Sequence, residues 1–350
     1  MTYQAILTAA EIRAARIEDA RSYDRDLADG LGISEAELVA AHVGHGATRI
    51  GAHPDDLMPH LAGLGEVMAL TRNRSCVIEK VGTYDTYRPG QHAAMVLTPE
   101  IDLRMFPSHW VSAFAVERRT AAGTRRSIQV FDAAGDAVHK VHLGDGSNLD
   151  YWQALVPRLA LDEQSCALAV APRQPVEPAK ANPDKAGQLR EEWAKLTDTH
   201  QFLRLTSRLK MNRLGAYRIA GAPLARQLAV GAVNKMLEAV KAQGIEVMLF
   251  VGNRGCIEIH GGPILSLAPT GPWQNVLDDG FNLHLRADHI AEVWAVDKPT
   301  QRGPAVSVEV FDAEGGLIFQ IFGRRTEAMD FRPAWDEIVA ALPGLQSADA

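Results

Sequence analysis

Residues 66–79, EVMALTRNRSCVIE, and residues 246–259, EVMLFVGNRGCIEI, align without a gap at an offset of 180. The register holds outward from this pair. Leu103 meets Leu283, His109 meets His289, Ala115-Val116 meets Ala295-Val296, and Phe131-Asp132-Ala133 meets Phe311-Asp312-Ala313. Unbroken register of this length means two copies of one fold, and a period this long is a domain duplication rather than a solenoid of short repeats. A residue that serves function rather than folding should then stand out as a departure from the repeat.

Each copy reads as helix, then strands, then a closing helix. Ser34-Glu35-Ala36-Glu37 is a capping box that starts a helix at about 34–42, and Asn212 is a good N-cap at the equivalent place. A second helix is expected after Pro223, through Leu224, Leu228, Val233, Leu237 and Val240 to Gly244. Strands follow, alternating at Cys256–His260, Phe281–Leu285 and Val306–Val310. Their tight turns, such as Asn253-Arg254-Gly255, predict an antiparallel meander and not βαβ units. A helix around Trp152 closes the first copy and one around Trp335 the second. The expected fold class is α+β: an internal duplication of two similar domains, each a large antiparallel β-sheet with flanking helices. The domains are expected over 1–171 and 186–345. Between them, residues 172–185 carry four prolines and read as an exposed, semi-stiff linker.

Composition excludes several function classes. A net charge of -7 argues against a broad nucleic-acid surface, though not against a local basic pocket. No apolar run approaches the ~18 residues of a membrane span, so no membrane insertion is expected. The N-terminus has scattered charges and no apolar core, unlike a signal peptide. Cys76 and Cys256 are repeat equivalents and Cys166 is unpaired by the repeat. This odd number without a CxxC predicts reduced thiols and a cytoplasmic location, with Cys76 and Cys256 in the same buried slot of separate domains.

Templates for common chemistry fail. The chain has no HExxH, CxxC pair, acidic Ca²⁺ loop, GxGxxG after a strand, GxxxxGK[ST] or GxSxG. What remains is Leu196-Thr197-Asp198-Thr199-His200-Gln201-Phe202, where Thr197 or Asp198 caps a helix with His200 in its first turn. The first copy has about Ser22 there. Taken alone, the histidine reads first as a helix-start residue bonded to its cap.

A resemblance weighs on that choice. Asp198-Thr199-His200-Gln201-Phe202 is similar to a family run D-V-H-Q-F, and Phe250 to His260 (FVGNRGCIEIH) is similar to F-V-G-N-R-G-C-I-Q-I-H. Phe281 to Arg286, Lys298-Pro299-Thr300, Ile101 to Phe106, Ser108-His109-Trp110 and Val138 to Val141 match as well. Together they resemble the hemin-degrading factors of bacterial haem-uptake systems, the HemS/ChuS/HmuS group, over nearly the whole chain. The resemblance implies haem b as ligand or substrate, with His200 as the axial ligand of its iron and Arg104 on the distal face. It implies Phe250 against the porphyrin, Lys298 and Arg325 at the propionates, and Gln320 in the same strand as the latter contacts. Relatives often have Tyr where this chain has Phe319, so a polar contact to the haem edge is expected to be missing. The bland alternatives are surface charge for Lys298 and Arg325, plain core for Phe250, and a strand-end cap for Arg104. The implied partners are haem itself and a haem oxygenase or the cytoplasmic side of a haem ABC transporter. Three functions compete at this point: oxidative haem degradation, with Arg104 as the distal catalytic group; a haem chaperone that passes its cargo on; and a duplicated protein-interaction module.

Overall fold

In the computed structural model, which describes residues 7–121 and 123–345, the strands form two antiparallel sheets of eight and nine strands with flanking helices. The first six residues of the N-terminal stretch lie outside the described residues. The chain divides into two compact units. One comprises residues 1–72, 79–174 and 252–258, and the other residues 73–78, 175–251 and 259–350.

The N-terminal unit is built on five antiparallel strands in the spatial order Ala47–Ile50, Ser112–Thr120, Gly123–Phe131, Ala137–Ser147 and Gly65–Arg72, each paired with the next; only the middle three form a meander. The C-terminal unit repeats it with Ala225–Leu228, Glu292–Lys298, Ala305–Phe311, Leu317–Gly323 and Val247–Gly252. The closing helices are Leu149–Leu159 and Arg332–Ala341, and each buries its tryptophan, Trp152 or Trp335. The capping box at Ser34 and the Asn212 cap form as the sequence predicts.

Two expectations need correction. The helix predicted from Pro223 covers only Ala232–Gln243; Gly244 ends it in the left-handed region. Residues Ala225–Leu228 are instead an edge strand on Glu292–Lys298. Ladder bonds outweigh helix propensity there, and Arg226 is drawn to the carbonyls of Val339 and Leu342 at 2.7 and 3.1 Å. The linker 172–185 is largely exposed but fastened. Arg173 pairs with Asp136 in the N-terminal unit. In the C-terminal unit the Lys180 amide donates to Asn212 Oδ1 and the Asn212 Nδ2 donates to the Pro178 carbonyl.

The two compact units are discontinuous in sequence, because each takes in the hairpin tip of the other copy. In the N-terminal unit the Gly255 carbonyl accepts from Phe106 N and Trp110 Nε1, and Asn253 Nδ2 donates to the Val138 carbonyl. The C-terminal unit holds the equivalent tip the same way: the Ser75 carbonyl accepts from Arg286 N, and Asn73 Nδ2 donates to the Ile318 carbonyl. Gly255 sits so close to Val138 that a Cβ would stand 2.6 Å from its Cγ1. Cys76 and Cys256 do fill equivalent buried slots, but exchanged: Cys76 belongs to the C-terminal core and Cys256 to the N-terminal core.

Around Cys256 the N-terminal core is polar. Thr71, Tyr84, His139 and Glu258 are all buried there beside Trp110. Their equivalents in the C-terminal unit are Val251, Ile264, Phe319, Ile78 and Ile290, all apolar. Both Glu258 carboxylate oxygens are buried without a hydrogen-bond partner. Burial pushes its pKa up from 4.5 to about 8, against the opposing Thr71 hydroxyl and Lys80 charge. A carboxyl whose folded pKa is raised costs stability once the unfolded chain ionises. Stability should therefore fall as pH rises from 4.5 towards 8, by about 1.4 kcal/mol for each pH unit crossed, and level off above. Burial lowers His139 to about 3 and His142 to about 4, and these work in the opposite sense between about 4 and 6.5. Comparing wild type with Glu258→Ile, the residue of the sister core, isolates the glutamate. Urea midpoints at pH 5 and pH 9 should converge at the lower pH and diverge in favour of the variant at the higher. Parallel behaviour would mean that Glu258 is not held neutral.

Candidate functional site

One face of the C-terminal five-strand sheet is dry core. Val247, Leu249 and Val251 point into it against Met236, Leu237, Val240 and Trp335. Alternation then puts Met248 and Phe250 on the opposite face. Register adds their neighbours: Phe250 pairs with Gln320 and Met248 with Phe322, and Gln320 pairs in turn with Glu309 and Phe322 with Ser307. Three helices, Ala186–Trp193, Gln201–Arg208 and Arg213–Ala220, cover part of this face, where Trp193, Phe202, Leu205 and Tyr217 pack on Trp294, Val296 and Phe311. The uncovered part is half-buried and aromatic, with the Phe250 and Phe322 rings edge-on at 5.6 Å.

His200 stands at the start of the middle helix. Phe202 anchors that helix against Trp193 at 4.5 Å between ring centroids. Thr197 and Gln201 brace its first turn, the Thr197 amide donating to Gln201 Oε1 and Gln201 Nε2 to Thr197 Oγ1. The imidazole itself is 93% exposed. Asp198 Oδ1 lies 2.7 Å from both the backbone N and Nδ1 of His200; the His200 donors hold its carboxyl below the usual range. A carboxylate on Nδ1 fixes the tautomer and leaves the Nε2 lone pair facing outward, the arrangement that orients and strengthens a metal-ligating histidine. Leu203, one turn on, is an exposed apolar neighbour on the same helix.

A buried charge network backs the sheet face. Glu309 is fully buried. It receives Lys298 Nζ at 2.6 Å, Arg213 Nη1 at 2.6 Å and Ser307 Oγ at 3.1 Å. Burial alone would raise the Glu309 pKa, but the two cations outweigh it and hold it at about 2. Arg213 also donates to Gln320 Oε1 at 2.9 Å. One carboxylate between two cations leaves a unit of positive charge unbalanced, with the partly exposed Arg213 as its outer member.

The residues singled out by sequence therefore fare differently. His200, Phe250 and Gln320 lie in one unit, on the helix layer and sheet face just described. Lys298 does not stand at a rim: its ammonium is buried, on Glu309 and the Tyr217 hydroxyl at 3.0 Å and over the Phe202 ring at 5.0 Å. Its charge is engaged by that carboxylate inside the core. Arg325 is exposed in the segment after Gly323, five residues beyond Gln320. Phe319 points into the dry core opposite Val251, so a tyrosine hydroxyl there would face hydrocarbon and not a ligand edge. Arg104 belongs to the N-terminal unit, on Asp102–Met105, where it ion-pairs with Asp102 and donates to the Leu103 carbonyl at 3.1 Å. Arg213, Met248 and Phe322 escaped the sequence reading. Arg213 immediately follows the Asn212 cap, and the other two follow from strand alternation once Phe250 is placed.

The N-terminal copy lacks this arrangement. It has Leu70 for Phe250, Lys140 for Gln320 and His142 for Phe322. The residue after the cap is acidic there, Glu35, which takes Lys140 and Arg72 as partners.

Comparison with known proteins agrees with the duplication. A family profile described as "Haemin-degrading HemS.ChuX domain" matches twice, over residues 32–159 and 210–342. The chain is 39% identical to the hemin transport protein HmuS of Yersinia pestis, covering 94% of this chain and 95% of that protein. It is 37% identical to the hemin transport protein HemS of Yersinia enterocolitica, with the same coverages. Among solved structures, holo-PhuS, a heme-binding protein from Pseudomonas aeruginosa, superposes with a TM-score of 0.91 at 42% identity, over 97% of this chain and all of that one. ChuS, described as an E. coli heme oxygenase, superposes with a TM-score of 0.84 at 35% identity, over 93% and 98%. With the profile spanning both copies and relatives aligned nearly end to end, this chain belongs to the haemin-degrading HemS/ChuX-domain family.

Proposed function

We propose that the chain binds one haem at the C-terminal unit, with His200 Nε2 as axial ligand, and carries it in the cytoplasm after import. The observation that carries this reading is the exposed imidazole whose Nδ1 is committed to Asp198. An exposed histidine with no task has no need of an oriented tautomer. The remaining chemistry suits a large apolar disc with two carboxylates at one edge: an aromatic wall of Phe250 and Phe322, and the outer cation Arg213 beside Gln320. Bound haem brings its own redox chemistry, and the protein's share is to hold and orient it. Titration of the protein with hemin should give a Soret band that saturates at one equivalent per chain, because the N-terminal copy has neither the histidine nor the aromatic pair. Two equal sites, or no Soret change, would remove the basis for this assignment. The second outcome would favour a duplicated interaction module.

Hand-over to a haem oxygenase or an apo-protein, rather than ring opening by this chain, is the finer reading we favour. Its support is that Arg104 Nη1 is already engaged by Asp102 and the Leu103 carbonyl. Uptake from the cytoplasmic side of a haem ABC transporter is the matching upstream step. The test is single-turnover degradation with a physiological reductant and catalase. No catalase-resistant turnover is expected in wild type, and Arg104→Ala should leave that result unchanged. Wild-type turnover that survives catalase, and slows in Arg104→Ala more than hemin affinity falls, would establish the oxygenase reading instead.

A further inference from the structure

The duplication provides a control for the polar cluster in the N-terminal core. The sister core shows that the same fold closes around Val251, Ile264, Ile290, Phe319 and Ile78. Folding therefore does not require Thr71, Tyr84, Trp110, His139 and Glu258 in the corresponding slots. Burying them is costly, since each buried polar group must find a partner or pay for desolvation, and Glu258 finds none. The cluster is not placed for a metal: among the described residues no three His, Cys, Asp or Glu side chains are grouped to hold an ion.

Its geometry is that of a proton wire with a phenol at one end. Tyr84 OH lies 2.5 Å from His139 Nε2, and His139 Nδ1 lies 2.8 Å from Thr71 Oγ1. Thr71 in turn donates to Cys256 Sγ at 3.6 Å. Burial holds the Tyr84 pKa well above its ordinary value, so the phenol keeps its proton and donates to a neutral imidazole. The Trp110 indole stacks on the His139 ring at 6.2 Å. Tyrosine and tryptophan are the readily oxidised aromatic side chains, and here both touch one buried base.

We propose that Tyr84 and His139 form a redox-active pair, in which the buried phenol gives one electron to an outer-sphere one-electron oxidant and its proton to His139. The Tyr84 O–H bond breaks and a His139 Nε2–H bond forms. One electron leaves and reduces the oxidant by one equivalent. The products are a neutral phenoxyl radical and an imidazolium, and re-reduction returns the proton along the same bond. Without the base, oxidation would leave a cationic phenol in a low-dielectric core, which is strongly unfavourable. With it, the charge moves to a ring whose Nδ1 is hydrogen-bonded to Thr71 and lies 4.0 Å from Glu258 Oε2. The inference does not depend on haem binding, because every residue named lies in the N-terminal unit and the oxidant in the test is supplied from outside.

The experiment is flash-quench oxidation of the full chain without haem, using photogenerated tris(bipyridyl)ruthenium(III), read by electron paramagnetic resonance. A tyrosyl radical that outlives those of exposed tyrosines such as Tyr23 is expected. It should be lost in Tyr84→Phe, and its yield should collapse in His139→Phe, which installs the sister core's residue. High-field spectra of the wild type provide a check that requires no variant to fold: a phenoxyl accepting a bond from imidazolium has a lowered g-x component. A persistent radical unchanged in Tyr84→Phe, an equal yield in His139→Phe, an unshifted g-x, or no persistent wild-type radical would each overturn the proposal.

Discussion

Glu309→Gln is expected to destabilise the C-terminal unit by about 3–5 kcal/mol, the scale for removing one partner of a buried ion pair and stranding the others. Glutamine keeps the shape and can still accept from Ser307, but Lys298 and Arg213 are left facing each other in the core without a counter-charge. Urea unfolding followed by tryptophan fluorescence would measure it. Lys298→Met in the same background should recover part of the loss, because the double variant no longer buries an unmatched ammonium. The pH dependence has a definite sign. Glu309 is held at about 2, below its unfolded value of 4.5. Its contribution is therefore complete above pH 4.5 and lost as pH falls through about 2. A Glu309→Gln variant as stable as wild type at pH 7 would show that the network is not the charged cluster described here. Lys298→Ala should act in the same way, on stability first, with any effect on hemin following from unfolding.

The second large effect concerns the ligand. His200→Ala should abolish the axial-ligand Soret signature and speed hemin dissociation while leaving the melting transition in place, because the exposed imidazole packs on nothing. Asp198→Ala keeps the ligand but releases its ring. It should weaken hemin binding about 10–100-fold, the usual cost of removing the outer partner of a metal-ligating histidine. That ordering separates the two residues: histidine loss changes the spectrum, while aspartate loss changes mainly the affinity. A His200→Ala spectrum identical to wild type would move the axial role to another histidine.

Much of this was legible in the sequence because the duplication repeats the evidence. A second copy of each strand and turn made the antiparallel strands, the closing tryptophan helices and the tight turn at Asn253-Arg254-Gly255 readable from pattern. The edge strand Ala225–Leu228 was not legible, since its short run is chosen by a ladder partner some 70 residues away in the chain and not by local propensity. In the site, the D-T-H-Q-F run exposed His200 and its Asp198 together. The burial of Lys298 was not legible, because its sequence neighbourhood, Lys-Pro-Thr before a turn, looks like surface. Only the register with Ala305 and the position of Glu309 further along that partner strand reveal a buried lysine. Arg213 was passed over for the opposite reason: a cation after a helix cap looks ordinary until the sheet beneath it is known. The polar cluster around His139 needed the two cores side by side.

The traded hairpin tips set a schedule for biosynthesis. The N-terminal unit counts Gly252–Glu258 among its own residues, and Cys256 sits in its core. A chain still on the ribosome can therefore have all of residues 1–174 outside and yet lack a piece of that core until Glu258 emerges. Domains made in series usually fold in the order they are made. Here the first waits for nearly half of the second, and the sheet of long-range strand pairs stays incomplete at its core meanwhile, the slow and aggregation-prone kind of topology. Cutting the gene at Gln174 should give a soluble, native-like half only if the missing seven-residue tip is supplied in trans, which makes the tip a natural handle for controlling when this protein becomes whole.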